Sequence, residues 1–515
     1  MLVGGPGGGN QNAMVSSGVT RCLLELSLAS NAPPSIKSQC LSTLTPIFTA
    51  SSTNQDLLSS LLVSPLLAVQ ADDEHPGGGF VRVPAKPAVE ALVASIIDGD
   101  PTTGGKGLKA RAAGVNMFEA YLSSNDEGRI TILSTLVTSV ADNLNIDPAS
   151  NAGSLILSGV LELPHSSITP SFDPYRPLFS CLLLSHLIRN SEHAKKLARE
   201  ISFPSGDTDP DHDPDSAIEV EEDKIPLLQL VVGNLMLASR EQAESVNRAA
   251  RNGGAEATRE EEEWTRVMVG YLALLCTWLW DSPKSVKEFL SESNNLQAVC
   301  QKNPSSILHS TLLTLTYKLI QPITQNTSID PLVQGLSAFL LGVCYEFNRE
   351  PGEITRATLH PILHSRIGPD QFVSRMARLR EDPRFRAVQP DEFELTSLLS
   401  GQPLMGEEEE EDMEVWFDWA FVDFWKNHYC KSACCAGEKR KVENRRKLTE
   451  IQTPSKDRLP LTLMPLAMLL LPMTLKQRLS SCRSDPSSRH RPTKSPTSPT
   501  KLSHCKKKPR VKKGS

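Results

Sequence analysis

The stretch EEEWTRVMVGYLALLCTWLW, residues Glu261–Trp280, carries the clearest helical pattern of the 515-residue chain. Its main apolar positions follow the spacing i, i+4, i+7, i+11 and i+14, at Trp264, Met268, Tyr271, Leu275 and Trp278. At 3.6 residues per turn these positions share one face of a helix, and Leu272, Leu274 and Leu279 widen it. A helix that is apolar over so much of its circumference needs cover on several sides. We therefore interpret the aromatic stripe as core and expect stacked helices around it.

The rest of the sequence up to residue 429 continues as apolar helical runs separated by short breaks rich in Pro, Gly, Ser and Asn. One helix is expected after Pro33 and Pro34, because the fixed φ of proline suits the first turn. A pair of helices is expected at Ala110–Leu122 and Ile130–Leu144, with Ser123–Asp126 as the connecting turn. The alternation with a period of two that strands require is almost missing. The sequence therefore predicts an all-α fold, an armadillo-like α-solenoid of stacked helical repeats.

Changes in composition divide the chain into four parts. They are a flexible Gly-rich N-terminus at residues 1–14, an armadillo-like helical head at 15–404, an acidic run with a closing aromatic segment at 405–429, and a basic, disordered tail rich in Pro and Ser at 430–515. Two inserts in the head, near residues 205–223 and 240–260, are strongly polar. We predict both to be mobile loops, because such composition cannot build a core.

The net charge of −6 conceals a strong asymmetry between the tail and the rest of the chain. From Lys431 onward 22 Lys and Arg stand against 5 Asp and Glu, whereas the first 430 residues carry 32 against 55. An acidic body is poorly suited to nucleic acid, whose affinity for proteins comes largely from neutralised phosphates. We therefore expect no nucleic-acid partner for the head.

The cysteines and the apolar runs indicate a cytoplasmic protein. The 11 cysteines fall mostly in apolar helical runs and show no disulfide framework, which fits a reducing compartment. The Gly-rich N-terminus lacks the charged and apolar regions of a secretory signal. The longest apolar run, Leu459–Met473, contains three prolines and is shorter than the roughly 20 residues that a membrane span needs.

Four stretches of the sequence follow one another in a specific order. They are Val269–Leu290 (VGYLALLCTWLWDSPKSVKEFL), Leu332–Asn348 (LVQGLSAFLLGVCYEFN), Leu359–Phe372 with its HSRIGPDQF portion, and Phe417–Phe424 with the pattern FD-x-x-F. Together they resemble the head region of a family of vesicle tethers, the general vesicular transport factors and Uso-type proteins. The likeness extends more weakly through Lys109–Leu122 and Leu178–Ile188, and so covers about residues 15–429.

This resemblance implies a vesicle tethering or docking factor in ER-to-Golgi and intra-Golgi transport, peripheral on Golgi and transport-vesicle membranes. It implies a non-catalytic protein-binding scaffold whose partners are a Rab-type GTPase, SNARE fusion machinery and golgins. Members of the family are homodimers. Leu332–Asn348 and Phe417–Phe424 are the segments that we would probe first for contacts with partners.

The resemblance is partial at both ends of the chain. Family heads carry further armadillo repeats before the matched region, so the first helix is expected to expose an apolar face that a preceding repeat would cover. At the other end, members continue into a coiled coil, whereas this sequence turns basic after about His428. We interpret this tail as the product of a shifted reading frame, which removes the coiled-coil dimerisation and golgin-binding parts. A genuine basic tail is the alternative.

No catalytic, cofactor-binding or metal-binding residue is predicted. Gly99–Gly107 (GDPTTGGKG) fails as a phosphate-binding loop, because Gly105 displaces the lysine and Gly107 stands where a hydroxyl is needed. The acidic run at Asp209–Asp213 lacks the glycine and glutamate of a calcium-binding loop. Cys430, Cys434 and Cys435 lack the paired spacing of a structural zinc site. His360 and His364 lie one turn apart, but the glutamate of a zinc-protease helix is missing.

A different class of function stays open on the basis of the tail. Lys506–Lys513 (KKKPRVKK) resembles a nuclear-import signal, and a nuclear or transport-receptor armadillo protein would bind peptides in its groove. That alternative predicts regularly spaced Asn and Trp residues in the groove, and the sequence does not show them.

Overall fold

The computed structural model of the chain describes residues 10–69, 79–100, 107–141, 151–162, 172–204, 224–252, 255–291, 329–352, 354–390 and 414–429. The first helices are α1 Asn10–Ser16, α2 Val19–Ser27, α3 Pro34–Phe48, α4 Ser52–Ser60, α5 Ala88–Ile97, α6 Leu108–Leu122, α7 Asp126–Ala141, α8 Ala152–Leu161, α9 Tyr175–Ile188 and α10 Glu192–Glu200. The later ones are α11 Leu227–Asn252, α12 Ala255–Leu279, α13 Pro283–Ser291, α14 Pro331–Phe347, α15 Arg356–Pro361, the π-helix Ile362–Ile367, α16 Pro369–Glu381, α17 Pro383–Arg386 and α18 at residues 419–429.

The helices pack against one another as a stack, which confirms the predicted all-α solenoid. In the first half α3 lies against α6, α5 against α6 and α8, and α8 against α9. In the second half α12 is covered by α9, α11 and α14, and α14 in turn packs on α16. Trp264 and Trp278 of α12 are buried, so the aromatic stripe is core as the sequence indicated. None of the helices within the described ranges is long and apolar enough to cross a membrane.

Short strands that the sequence did not predict connect some of the helices. They form three two-stranded antiparallel sheets among the described residues: β1 Leu62–Val63 with β4 Lys86–Pro87, β2 Leu66–Val69 with β3 Gly79–Arg82, and β5 Ser202–Pro204 with β6 Lys224–Pro226. Strands of two to four residues are too short to produce a visible alternation of apolar and polar positions.

The prediction of a mobile loop at residues 240–260 is wrong for the residues described there, because they lie in α11 and α12. The charged side chains of these residues form ion pairs with one another, and the backbone is helical. Arg259 Nε lies 3.0 Å from Glu263 Oε1 one turn away, and Arg248 pairs with Glu260 across the two helices. Such ion pairs stabilise a solvent-exposed helix. A prediction from low hydrophobicity alone takes no account of them and gives a loop. The other predicted insert, residues 205–223, lies outside the described residues.

The boundary predicted at residue 14 also differs from the structure, because α1 begins at Asn10. Residues 10–14 contain no glycine, and Gln11 ties them to the array. Its Nε2 donates a hydrogen bond of 2.7 Å to the carbonyl of Pro46 in α3. The predicted tail, residues 430–515, is not among the described residues.

Long cationic side chains cap the ends of neighbouring helices. Arg111 of α6 donates to the carbonyls of Ile96 (2.8 Å) and Ile97 (2.6 Å), the last residues of α5. Arg129 of α7 donates to the carbonyl of His186 (2.7 Å) near the end of α9. The last carbonyls of a helix have no partner within it and carry the negative end of its dipole, so a guanidinium there is stabilising.

Lys195 does the same at the end of α12, where its Nζ donates to the carbonyl of Trp280. Burial lowers the pKa of Lys195 to about 8, while Glu192 and Asp281 act in the opposite direction. The array is therefore held by polar ties between helices as well as by its apolar core.

The close packing of α14 against α16 depends on Gly335. A Cβ at this position would overlap the Cβ of Leu379 and lie 3.1 Å from the carbonyl oxygen of Arg375. We expect Gly335→Ala to lower the free energy of unfolding by about 1–3 kcal/mol, because the backbone of α16 must move away. Urea unfolding of the full chain measures this change.

Gly233→Ala provides the control. Gly233 lies inside α11, and a Cβ there would meet no atom within 4 Å. Alanine should therefore stabilise this helix by about 0.5–1 kcal/mol through helix propensity alone. Equal effects of the two substitutions would show that packing against α16 is not what excludes a side chain at Gly335.

Candidate interaction surface

Residues 414–429, the closing segment, complete the end of the array. The segment runs without regular structure to Asp418 and then forms α18. Asp418 begins this helix as an N-cap, since its Oδ1 accepts a hydrogen bond of 3.0 Å from the backbone N–H of Phe421. Most of the inward side chains are fully buried, among them Phe421, Val422 and Trp425. The segment is therefore part of the core as well as part of the surface.

Two guanidinium groups hold the start of the closing segment. The Cζ atoms of Arg266 and Arg384 lie 4.3 and 4.8 Å from the ring centroid of Trp416. Arg384 is itself fixed by two hydrogen bonds to Asp330, of 2.8 and 2.9 Å. A planar guanidinium stacks on an aromatic ring and still pairs with a carboxylate, which a lysine ammonium does less well. These contacts tie the segment to α12, α14 and α17.

An aromatic cluster buries the middle of the closing segment. The rings of Phe417 and Trp425 both meet Phe385 of α17 edge to face, with centroids 5.1 and 5.2 Å apart. Phe424 meets Trp280 edge to face at 5.5 Å. Edge-to-face pairs at these distances contribute beyond the area they bury.

A buried contact between a histidine and a carboxylate joins the closing segment to α9. His186 Nε2 lies 2.7 Å from Asp418 Oδ2, and both side chains are almost fully buried. Burial by itself raises the pKa of Asp418, but His186, Arg189 and the N–H of Phe421 together hold it below its ordinary value. The carboxylate is therefore charged at neutral pH and neutralised by its neighbours.

The outward face of α18 is the part of this region that a partner can reach. It presents Trp419, Asp423, Lys426 and Asn427, at the spacing i, i+4, i+7 and i+8. Trp419 is half-buried, and Lys426 Nζ lies 4.7 Å from its ring centroid. We call these four residues the α18 face. Tryptophan is enriched at the hot spots of protein interfaces, and charged residues are common at the rim around them.

The two segments singled out from the sequence therefore have different positions. Leu332–Asn348 is interior: all of its residues except Glu346 are buried, and it packs on α12 and α16. It cannot offer a contact surface without opening the core. Phe417–Phe424 is mainly interior too, but it carries Trp419 and Asp423 of the α18 face.

Among the described residues, no group of three or more His, Cys, Asp or Glu side chains could hold a metal ion. The ring centroids of His360 in α15 and His364 in the π-helix lie 4.1 Å apart, with the rings tilted by 44°. Tyr345 Oη lies 3.1 Å from His360 Nδ1. Residues 101–106, 209–213 and 506–513 lie outside the described residues.

Sequence reasoning missed the pairing of His186 with Asp418. The two residues are 232 positions apart, and His186 lies in an otherwise apolar helix where a histidine is unremarkable. The FD-x-x-F pattern did mark Asp418, and its N-cap spacing to Phe421 was a readable signal.

Comparison with known proteins gives a consistent picture for the chain. Residues 51–432 match the family model described as the head region of Uso1/p115-like vesicle tethering proteins. The general vesicular transport factor p115 of Mus musculus is 23% identical over 367 residues, 71% of this chain and 29% of that protein. The intracellular protein transport protein uso1 of Schizosaccharomyces pombe is 27% identical over 225 residues, 44% of this chain and 17% of that protein. The chain thus spans less than a third of the length of these relatives.

Two solved structures share the fold. The crystal structure of Uso1-2 aligns with a TM-score of 0.54 and 17% identity, over 82% of this chain and 52% of that one. The crystal structure of Uso1-1 aligns with a TM-score of 0.53 and 17% identity, over 83% of this chain and 54% of that one.

Proposed function

The chain belongs to the family of Uso1/p115-like vesicle tethering proteins, of which residues 51–432 are the head region, and we propose that it acts as a vesicle tether. It serves ER-to-Golgi and intra-Golgi transport, as a peripheral protein of Golgi and transport-vesicle membranes. The head is a binding scaffold without catalytic chemistry. It raises the concentration of a vesicle near its target membrane by holding both.

The observation that carries this proposal is the match to the head of vesicle tethers over most of the helical array. The chemistry of the array supports it. Its buried or half-buried charged groups, such as Arg111, Lys195 and Arg129, donate hydrogen bonds to carbonyls at helix ends and so join neighbouring helices. A stack of helices braced in this way offers a stable surface for partners.

The partners that we propose are a Rab-type GTPase, SNARE fusion machinery and golgins. The α18 face is the surface that we assign to the first of them. Trp419 is the anchor there, because a half-buried indole already has its ring fixed and loses little freedom on binding. Asp423 and Lys426 supply charges of both signs at its rim.

Membrane recovery tests the proposed function. The full chain is incubated with early-Golgi membranes and, separately, with immobilised Rab-type GTPases loaded with GTP or GDP. We expect recovery with the membranes and with one GTP-loaded GTPase in preference to its GDP form. Absence of binding in both assays would remove the tethering function.

Replacement of Trp419 by alanine tests the α18 face. We expect Trp419→Ala to weaken binding of the GTP-loaded GTPase by about 30-fold, the effect of losing an anchor worth about 2 kcal/mol. Titration calorimetry measures the affinity. Leu57→Ala, which removes an exposed side chain of α4, should leave the affinity unchanged. Equal affinities of wild type and Trp419→Ala would exclude the α18 face as this binding site.

A further inference from the structure

The β2–β3 hairpin has one covered edge and one open edge. Residues pair in the register Leu66 with Arg82, Leu67 with Val81 and Ala68 with Phe80. The N–H of Val83 donates to the carbonyl of Pro65 (3.1 Å), whereas the carbonyl of Leu66 accepts from Ser30 (2.8 Å) outside the hairpin. Antiparallel pairs alternate between hydrogen-bonded and non-hydrogen-bonded, so Val81 and Val83 bond to β2. The N–H and C=O groups of Phe80 and Arg82 therefore point away from β2.

No other strand among the described residues pairs with this outer edge of β3. No backbone hydrogen bond between described residues uses the N–H or C=O of Phe80 or Arg82 outside the hairpin. The side chain of Phe80 is 54% exposed, the highest value among the large apolar side chains described. An exposed strand edge with unpaired backbone groups and an exposed ring is a template for another strand.

The sequence of β3 is complementary to itself. If two copies pair antiparallel about Val81, Phe80 of one lies opposite Arg82 of the other, on both sides of the two-fold axis. The N–H and C=O groups of these two residues point away from β2. Each Phe80–Arg82 pair can therefore form two N–H···O=C bonds, one in each direction. Side chains directly opposite each other share a face of the sheet, which places the Phe80 ring against the side chain of Arg82.

A charged membrane fits this edge less well than a second copy does. Asp72, Asp73 and Glu74 lie in the sequence between β2 and β3, and they would repel anionic lipid headgroups. The cationic Arg82 is already neutralised by Glu25, whose Oε2 lies 3.4 Å from its Nη1. What the edge offers is an apolar side chain and backbone groups, which is the chemistry of strand addition.

We propose that the head self-associates through β3, by antiparallel pairing of residues 79–83 with the same residues of a second copy, centred on Val81. This interface does not depend on the tethering role or on a coiled coil. It is small, so the dimer should form in the range of tens of micromolar, typical of weak interfaces.

Sedimentation velocity of the full chain between about 1 and 100 μM tests self-association. We expect the sedimentation coefficient of the wild type to rise with concentration. Phe80→Lys should abolish the rise, because it removes the ring that packs on Arg82 of the second copy and puts a charged side chain on the open edge. Val373→Lys, which changes an exposed side chain of α16, should associate like the wild type. A wild type that stays monomeric throughout, or a Phe80→Lys variant that still associates, would overturn the proposal.

Disulfide formation tests the register. Each new cysteine is introduced together with Cys22→Ser, which removes the one exposed cysteine among the described residues. In the proposed pairing Val81 faces Val81 of the second copy as a non-hydrogen-bonded pair, with Cα atoms about 4.5 Å apart. That distance suits a disulfide, so Val81→Cys should give a cross-linked dimer, identified by mass spectrometry of the linked peptide.

Phe80→Cys is the matched control for this register. The two copies of residue 80 are offset by two positions, about 8 Å apart, too far for a disulfide. Its cross-linking should therefore be at least tenfold weaker than that of Val81→Cys. Absence of a link at Val81→Cys, or equal links at both positions, would exclude this pairing.

Discussion

Replacing Asp418 by alanine should lower the free energy of unfolding of the head by about 3–5 kcal/mol, the usual effect of removing a buried carboxylate from the groups that stabilise its charge. The carboxylate is in contact with His186 and lies close to Arg189, and its side chain is almost fully buried. Without it, the Arg189 guanidinium and the His186 ring lose the carboxylate that faces them inside the fold. The loss also removes the N-cap of α18. Urea unfolding followed by circular dichroism measures the difference.

Asp418→Asn separates the two contributions of this side chain. Asparagine keeps a cap for the N–H of Phe421 but carries no charge, so it should recover about 1 kcal/mol relative to alanine. Should Asp418→Asn unfold like the wild type, the charge of this carboxylate would contribute nothing to stability.

The pH dependence follows from the lowered pKa of Asp418. A carboxylate whose pKa is lower in the folded than in the unfolded protein stabilises the fold above its unfolded pKa, about 3.9. This stabilisation is lost as the pH falls through the folded value. The difference between wild type and Asp418→Asn should therefore shrink as the pH falls below about 4.

Trp425→Ala should also lower the free energy of unfolding by about 3–5 kcal/mol, because it opens a cavity in the aromatic cluster. The indole is fully buried between Phe385, Phe339 and Tyr429. Chemical unfolding of the full chain measures the effect, with the near-ultraviolet spectrum as a second readout of aromatic packing.

Trp419→Ala is the control on the same helix. Its indole is half-exposed on the α18 face, so the free energy of unfolding should fall by no more than about 1 kcal/mol. If Trp425→Ala were no more destabilising than Trp419→Ala, the closing segment would not be part of the core.

The sequence predicted the features that depend on local periodicity. The spacing from Trp264 to Trp278 predicted a buried helix, and Pro33 and Pro34 marked the start of α3. The same approach was wrong at residues 240–260, where the charged composition predicted a loop. There the charges satisfy one another along and across two helices, and that pairing depends on their packing.

The α18 face could be predicted only in part. Its exposed residues are interspersed with buried ones in the short closing segment. The FD-x-x-F pattern located the closing segment, but composition could not separate Trp425, which is core, from Trp419, which is half-exposed. That division depends on the elements that cover each face. Distant pairs such as Arg384 with Asp330 are likewise fixed by the fold and not by spacing.

The distance along the chain between His186 and Asp418 has a consequence for biosynthesis. Translation proceeds from the N-terminus. The residues of α9, α12 and α14 that contact the closing segment therefore leave the ribosome well before that segment does. During this interval the nascent head exposes Trp280 and Phe339, which is a reason for chaperone engagement. Contacts so remote in the chain also slow the final step of folding, because a long loop must close first.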